Sequence, residues 1–204
     1  MGNKAREFDR LVREVFAPIY PIIAAQVMEE VGFNEGLCLD IGTGSGYLGL
    51  NIAKISDFKV VAMDNNSDSI EVLKENISQW GLDSQVKSLL GDVHDIPLAT
   101  NTVQLAVSRG SMFFWDEAIV AFNEIYRVLS PKGVGFIGGG FGNLETKAAV
   151  DQEMLKRNPK WLEKLNNRIG SKEPEKWRDI VSKTNIMNFN IIHNPVEMWI
   201  VFRK

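Results

Sequence analysis

Apolar positions along this chain change period twice. Residues 4 to 31 repeat at helical spacing, first through Phe8, Leu11, Val12, Val15 and Phe16, then through Ile22, Ile23, Val27 and Val31. Pro18 and Pro21 interrupt the run and predict two helices or one sharp kink, and Gly32 is placed to cap the end. From Leu37 the pattern alternates. Short apolar strands are expected at 37–41, 60–63, 86–90, 103–107 and 134–137. Helical patterns are expected at 45–55, from a cap at Ser67 or Asp68 to a stop at Gly81, and at 116–129, with Pro131-Lys132-Gly133 as a turn. Strands buried on both sides that alternate with helices predict a parallel sheet covered on both faces.

The register then changes again. Residues 145–183 read as polar helix broken at Pro159, Gly170 and Pro174. Residues 186–192 and 197–202 read as two strands joined through His193-Asn194-Pro195, a hairpin and hence antiparallel. The predicted fold is α/β: a doubly wound, mostly parallel seven-stranded sheet closed by an antiparallel C-terminal hairpin, with helices on both faces. One domain spans 1–204, divided into an N-terminal helical lid (1–34), a ligand-binding core (35–140) and a helical insert with the hairpin (141–204).

Bulk numbers narrow the class only slightly. The 204 residues are 45% apolar and 24% charged, ordinary for a globular chain. A net charge of −3 gives no overall attraction to nucleic acid or anionic membrane. Cys38 is the single cysteine and falls in a buried-strand pattern, consistent with a reducing compartment. No apolar run approaches the ~20 residues of a membrane span. The first residues are charged, at Lys4, Arg6, Glu7, Asp9 and Arg10, which argues against a signal peptide. Met1-Gly2 begins like an acylation signal, but Arg6 stands where Ser or Thr is required. A cytoplasmic protein is expected, and no pattern specifies an oligomeric state.

The chemistry concentrates after the first strand, in Leu39-Asp40-Ile41-Gly42-Thr43-Gly44-Ser45-Gly46. Glycines at a strand-to-helix turn let a ligand approach the backbone. A helix N-terminus beyond them offers unpaired N–H groups. Such loops often hold a dinucleotide, and Gly44-Ser45-Gly46-Tyr47-Leu48-Gly49 fits that pattern. Asp40 argues against it, because a pyrophosphate would lie beside a carboxylate in a poorly solvated cleft. A ligand carrying positive charge suits this turn better.

This run resembles the first motif of the class I S-adenosylmethionine-dependent methyltransferases. The resemblance continues through Met63-Asp64, Gly91-Asp92-Val93 and the stretch from Glu124 to Gly133, and covers roughly residues 35 to 140. It implies S-adenosylmethionine as cofactor, a ligand with an ammonium, a sulfonium and no phosphate. It also implies a cofactor-binding set of Asp40, Gly42, Thr43, Gly44, Gly46, Asp64, Asn65, Asp92, Val93 and Ser108. Asp40 would hold the methionine ammonium, directly or through water. Asp64 would accept from the ribose hydroxyls, with Asn65 on the ribose or adenine. Asp92 would accept from the adenine amine, and the Val93 backbone would pair with the ring edge.

Around the expected methyl position the chain departs from the common pattern. Val103-Gln104-Leu105 stands where many members carry an acid, and the Asn/Asp-Pro-Pro-aromatic signature of amino-group methylation on bases and glutamine is absent. Ser108 and Arg109 would shape the pocket floor. Arg109 would bind an anionic substrate group or form a structural salt bridge. Tyr20 would touch cofactor or substrate, or simply pack. These two are the weak catalytic candidates, since in-line methyl transfer needs a base only when the acceptor must lose a proton. His94, His193 and Cys38 make no metal set. Met112 to Trp115 supplies an aromatic wall, and the Gly135–Gly142 run reads as close packing rather than a phosphate loop.

The favoured expectation is methyl transfer to a small-molecule acceptor, with nucleic acid and membrane disfavoured as partners. Basic residues in the helical insert keep RNA or an anionic substrate open. The alternatives are an NAD(P)-dependent oxidoreductase and a non-catalytic S-adenosylmethionine-binding protein.

Overall fold

The computed structural model describes residues 3–204. Met1 and Gly2, read above as an incomplete acylation signal, lie outside them. The chain opens with α1 (Asn3–Leu11), a π-helical turn (Val12–Phe16) and α2 (Ile19–Val31). The axes on either side of Ala17-Pro18 differ by 79°. The break falls at Pro18 alone. Pro21 sits in the first turn of α2, where its missing N–H has no helical partner to lose. Gly32 caps α2 in the left-handed region at φ 76°.

Five parallel strands follow: β1 (Leu37–Ile41), β2 (Lys59–Asp64), β3 (Val86–Leu90), β4 (Val103–Arg109) and β5 (Leu129–Gly140). Between them run α3 (Tyr47–Lys54), α4 (Ser67–Gln79) and α5 (Ala118–Val128). Then come α6 (Leu144–Arg157), α7 (Trp161–Ile169), α8 (Glu173–Val181) and the hairpin of β6 (Phe189–Asn194) and β7 (Glu197–Arg203). The sheet order is β3-β2-β1-β4-β5-β7-β6, with β7 antiparallel to both neighbours. The order reverses between β1 and β4, so a crevice opens beyond the carboxyl ends of those strands. This is the α/β fold anticipated above.

Several boundaries differ, each for a local reason. Asn66, not Ser67 or Asp68, caps α4; its side-chain oxygen accepts from Asp68 N and Ser69 N. β5 begins at Leu129 because Pro131-Lys132-Gly133 is a bulge within the strand, with Lys132 at φ 69° and a register shift against β4. Pro174 opens α8 rather than breaking a helix. The hairpin turn is Pro195-Val196, and His193 and Asn194, expected in the turn, belong to the strand before it.

The segment read as an N-terminal lid divides in two. α2 packs on α3 and buries Ile19, Ile23 and Val27 completely. α1 lies over the cavity and packs on the core only through the half-buried Leu11 at its end, among the described residues. It is tethered to α4 by a bidentate Arg6–Glu75 pair and by Asn76 Nδ2 donating to Asp9 Oδ1 at 2.9 Å. Among the described residues no single helix is long and apolar enough to cross a membrane.

Candidate active site

A cavity of about 940 Å³ occupies the crevice. Its walls come from the loops after β1 to β5, with α1 and α7 above. Gly42, Gly44, Asp64, Asn65, Asp92, Val93, Arg109 and Tyr20 all line it. Four expected site residues do not: Asp40, Thr43, Gly46 and Ser108 sit behind the wall.

Asp40 explains why. Its side chain is turned under the glycine loop and is 2% exposed. Its Oδ2 accepts from Thr43 Oγ1 at 2.6 Å and from Gly49 N at 2.9 Å. The carboxylate thus pins both ends of the loop. Thr43 spends its hydroxyl on the same bond. Gly46, at φ 94°, starts α3, and a Cβ there would meet Leu73 Cδ1 at 2.3 Å. Ser108 is buried against Ser111, whose hydroxyl also donates to Ile41 O. It is Ser111 that reaches the wall.

Burial raises the Asp40 carboxyl to about 6 from its ordinary 3.8, against the bonds from Thr43 and Gly49 that favour the anion. The folded state therefore holds this proton more tightly than the unfolded chain does. Stability from this group is complete below its unfolded value and is lost as pH rises through about 6, an effect of about 3 kcal/mol in all. Asp40→Asn should flatten that decline between roughly pH 4 and pH 6 in urea titrations. An unchanged pH slope would remove Asp40 as its source.

Asp64, at the end of β2, has both oxygens engaged by backbone. Oδ2 accepts from Gly44 N at 2.8 Å and Oδ1 from Asn66 N at 3.0 Å. Each oxygen keeps a lone pair, so the carboxylate is oriented toward the cavity and still able to accept. Asp92 is more exposed. Its Oδ1 accepts from His94 N and lies 2.6 Å from His94 Nδ1, which holds the carboxyl below its usual range. His193 is placed elsewhere, with Nε2 at 2.9 Å from Ile169 O.

The stretch from Glu124 to Arg127 fastens the loop that carries Asp92 and Val93. Glu124 accepts from Ile96 N, and Arg127 donates to Ile96 O, Leu98 O and both Glu124 oxygens. Gln104, the departure noted on β4, is structural: its Oε1 accepts from Leu37 N at 2.7 Å and its amide donates to Ser130. Of the expected aromatic wall, Met112 is core, while Phe113, Phe114 and Trp115 line the cavity.

Arg109 makes no ion pair among the described residues, so the structural salt bridge considered above is absent. Its Nε donates to Gly140 O at 3.0 Å and Nη1 to Tyr20 Oη at 3.4 Å. Burial pushes the Tyr20 phenol up. Sequence patterns missed Phe8, Ser111, Trp161 and Arg168 as wall residues. For Trp161 the period of α7 carried the signal that it faces inward, though not what it faces; Arg168 lies just off that stripe.

A sheet ordered 3-2-1-4-5-7-6, with a glycine loop after the first strand and carboxylates after the second and third, defines the class I Rossmann-like methyltransferase fold. Comparison with known proteins agrees. Residues 38–133 match the methyltransferase-domain family. A crystal structure from Methanococcus maripaludis, of a protein assigned as an S-adenosyl-L-methionine-dependent methyltransferase, superposes with a TM-score of 0.97 at 38% identity, covering 100% of this chain and 93% of that one. The chain belongs to the S-adenosylmethionine-dependent methyltransferases. This displaces the oxidoreductase alternative and makes S-adenosylmethionine the cofactor.

More distant relatives differ in their acceptors. The Oryza sativa chloroplastic 2-methyl-6-phytyl-1,4-hydroquinone methyltransferase 1 is 30% identical over 109 residues, 52% of this chain and 32% of that protein. The ribosomal protein L11 methyltransferase of Listeria welshimeri is 31% identical over 153 residues, 72% of this chain and 43% of that protein. The chain thus spans about a quarter to a half of the length of the curated relatives it matches.

Proposed function

We propose that this enzyme methylates a small molecule enclosed in the cavity, and that Asp64, Asn65, Asp92, Val93 and the loop at Gly42 and Gly44 hold the cofactor. The residues suit that group. Asp64 offers two oriented acceptors to a vicinal diol, and the free Oδ2 of Asp92 suits an exocyclic amine. Gly44 leaves room that a side chain would fill, since a Cβ would stand 3.1 Å from the Phe8 ring. Two carboxylates beside the loop would oppose a diphosphate. Asp40 and Thr43 act beneath, by fixing the loop.

When bound, the cofactor supplies an activated methyl group on sulfur. The chain has only to orient the acceptor and exclude water. Tyr20, kept protonated by its burial, serves as a hydrogen-bond donor to the acceptor rather than as a base.

The observation that carries the acceptor class is a deep, partly roofed crevice. Ligand pockets run to roughly 300–1,000 Å³. At about 940 Å³ this one has room for a cofactor and a small acceptor together, beneath a roof that includes Trp161, Leu165 and Ile169. Cell extract separated by ultrafiltration and incubated with enzyme and methyl-labelled S-adenosylmethionine should show label in the low-mass fraction. Label confined to protein or RNA would overturn the reading. S-adenosylhomocysteine should also raise the melting temperature by several degrees, and NAD should not.

A further inference from the structure

Two guanidinium groups face the acceptor end of the cavity without a carboxylate. Arg109 stands at the end of β4, on the floor. Arg168 comes from α7, in the roof. Neither is in an ion pair among the described residues. The other part-buried arginine, Arg127, behaves differently and holds Glu124 at 2.7 Å.

Both groups are positioned with their charge unspent. Arg109 stacks with its guanidinium 5.7 Å from the Phe16 ring centre, 5.1 Å from Tyr20 and 5.8 Å from Phe141. Among the described residues its only hydrogen bonds are those to Gly140 O and Tyr20 Oη, which leaves Nη2 unengaged there. Arg168 lies 4.9 Å from the Phe114 ring centre and its side chain donates no hydrogen bond among the described residues. Burial, and then the positive charge of Arg109, hold its pKa below the ordinary value. Like charges facing one partly desolvated space repel, and that cost is relieved only when an anion lies between them. The acidic wall residues do not serve. Asp64 and Asp92 are committed at the cofactor end, and Asp116 and Glu117 are exposed and contact neither arginine.

We infer that Arg109 and Arg168 form a two-sided clamp for an oxyanion, carboxylate or phosphate, carried by the methyl acceptor. Planar guanidinium forks match either group in paired hydrogen bonds. The anion would draw α7 onto the floor of the cavity, so the clamp also closes the roof over the acceptor. This rests on the small-molecule reading above and narrows it to anionic acceptors.

The test uses protein saturated with S-adenosylhomocysteine and three probes of one shape: benzoate, phenyl phosphate and benzamide, titrated by calorimetry. At least one anion should bind tenfold or more tightly than benzamide. Whichever anion binds better identifies the headgroup. Arg168→Gln should bring that anion to within threefold of benzamide while the S-adenosylhomocysteine affinity stays within twofold. Arg109→Gln should do the same, but it also removes packing on three rings, so Arg168→Gln decides. Benzamide binding as tightly as both anions, or a preference that survives Arg168→Gln, overturns the clamp alone. Failure of all three probes to bind overturns the small-molecule reading and the clamp with it.

Discussion

Asp64→Ala should bind S-adenosylhomocysteine roughly a hundredfold more weakly than the parent. Two hydrogen bonds from hydroxyls to a carboxylate, at about 1.5 kcal/mol each, account for that loss. The substitution also frees Gly44 N and Asn66 N from their acceptor, so the loop relaxes as the diol contact disappears. Asp64→Asn keeps a single acceptor oxygen and should fall between the two. Calorimetry reads the affinity, and circular dichroism shows that both variants are folded. An affinity within threefold of the parent for Asp64→Ala would take the residue out of cofactor binding.

Gly138→Ala should be the most destabilising single methyl that can be added to this chain at the active-site edge. Gly138 pairs with Trp199 across β5 and β7, and a Cβ there would stand 2.1 Å from Met198 O and 2.8 Å from Trp199 Cα. Those are backbone atoms of a core strand and cannot rotate away. A cost of about 3 kcal/mol or more is expected, lowering the melting temperature by roughly 10 °C. Activity should fall with it, because Gly138 O accepts from Gly110 N in the loop beside Arg109. Gly139→Ala is the control. Its Cβ would meet only the edge of the Phe113 ring at 3.2 Å, and that ring has room to adjust. A Gly138→Ala protein melting within 2 °C of the parent, or a Gly139→Ala protein equally damaged, would refute the packing role of this seam.

Much of the fold was legible in the sequence because its signals are local. Five short apolar runs separated by helical periods specify a parallel sheet, and Pro195 within a strand–turn–strand pattern specifies the closing hairpin. The loop from Asp40 to Gly46 identified the crevice because glycine and carboxylate at a strand end carry their chemistry in the residue type. What escaped was direction. A strand buried on both faces gives no sign of which way Asp40 turns, and it turns inward to hold Thr43 and Gly49. Asn66 caps α4 in place of Ser67 or Asp68 because its extended backbone aims the side-chain oxygen at Asp68 N and Ser69 N, and residue type alone does not mark which of three capping residues does so. Arg168 was invisible for a different reason. It lies next to the apolar stripe of α7, and only the packing of α7 above the sheet brings it within reach of Arg109.

The junction at Ala17-Pro18 joins two helices held by different forces. α2 is fixed by apolar burial, whereas α1 is latched to α4 by charge and a buried amide. Its exposed ion pair is weakened by salt, and among its described residues the apolar packing on the core is confined to Leu11, at the end that joins the π-helical turn. The doorway to the cavity can therefore swing while the sheet beneath stays intact, which makes ligand traffic and global unfolding separate events with separate sensitivities to ionic strength.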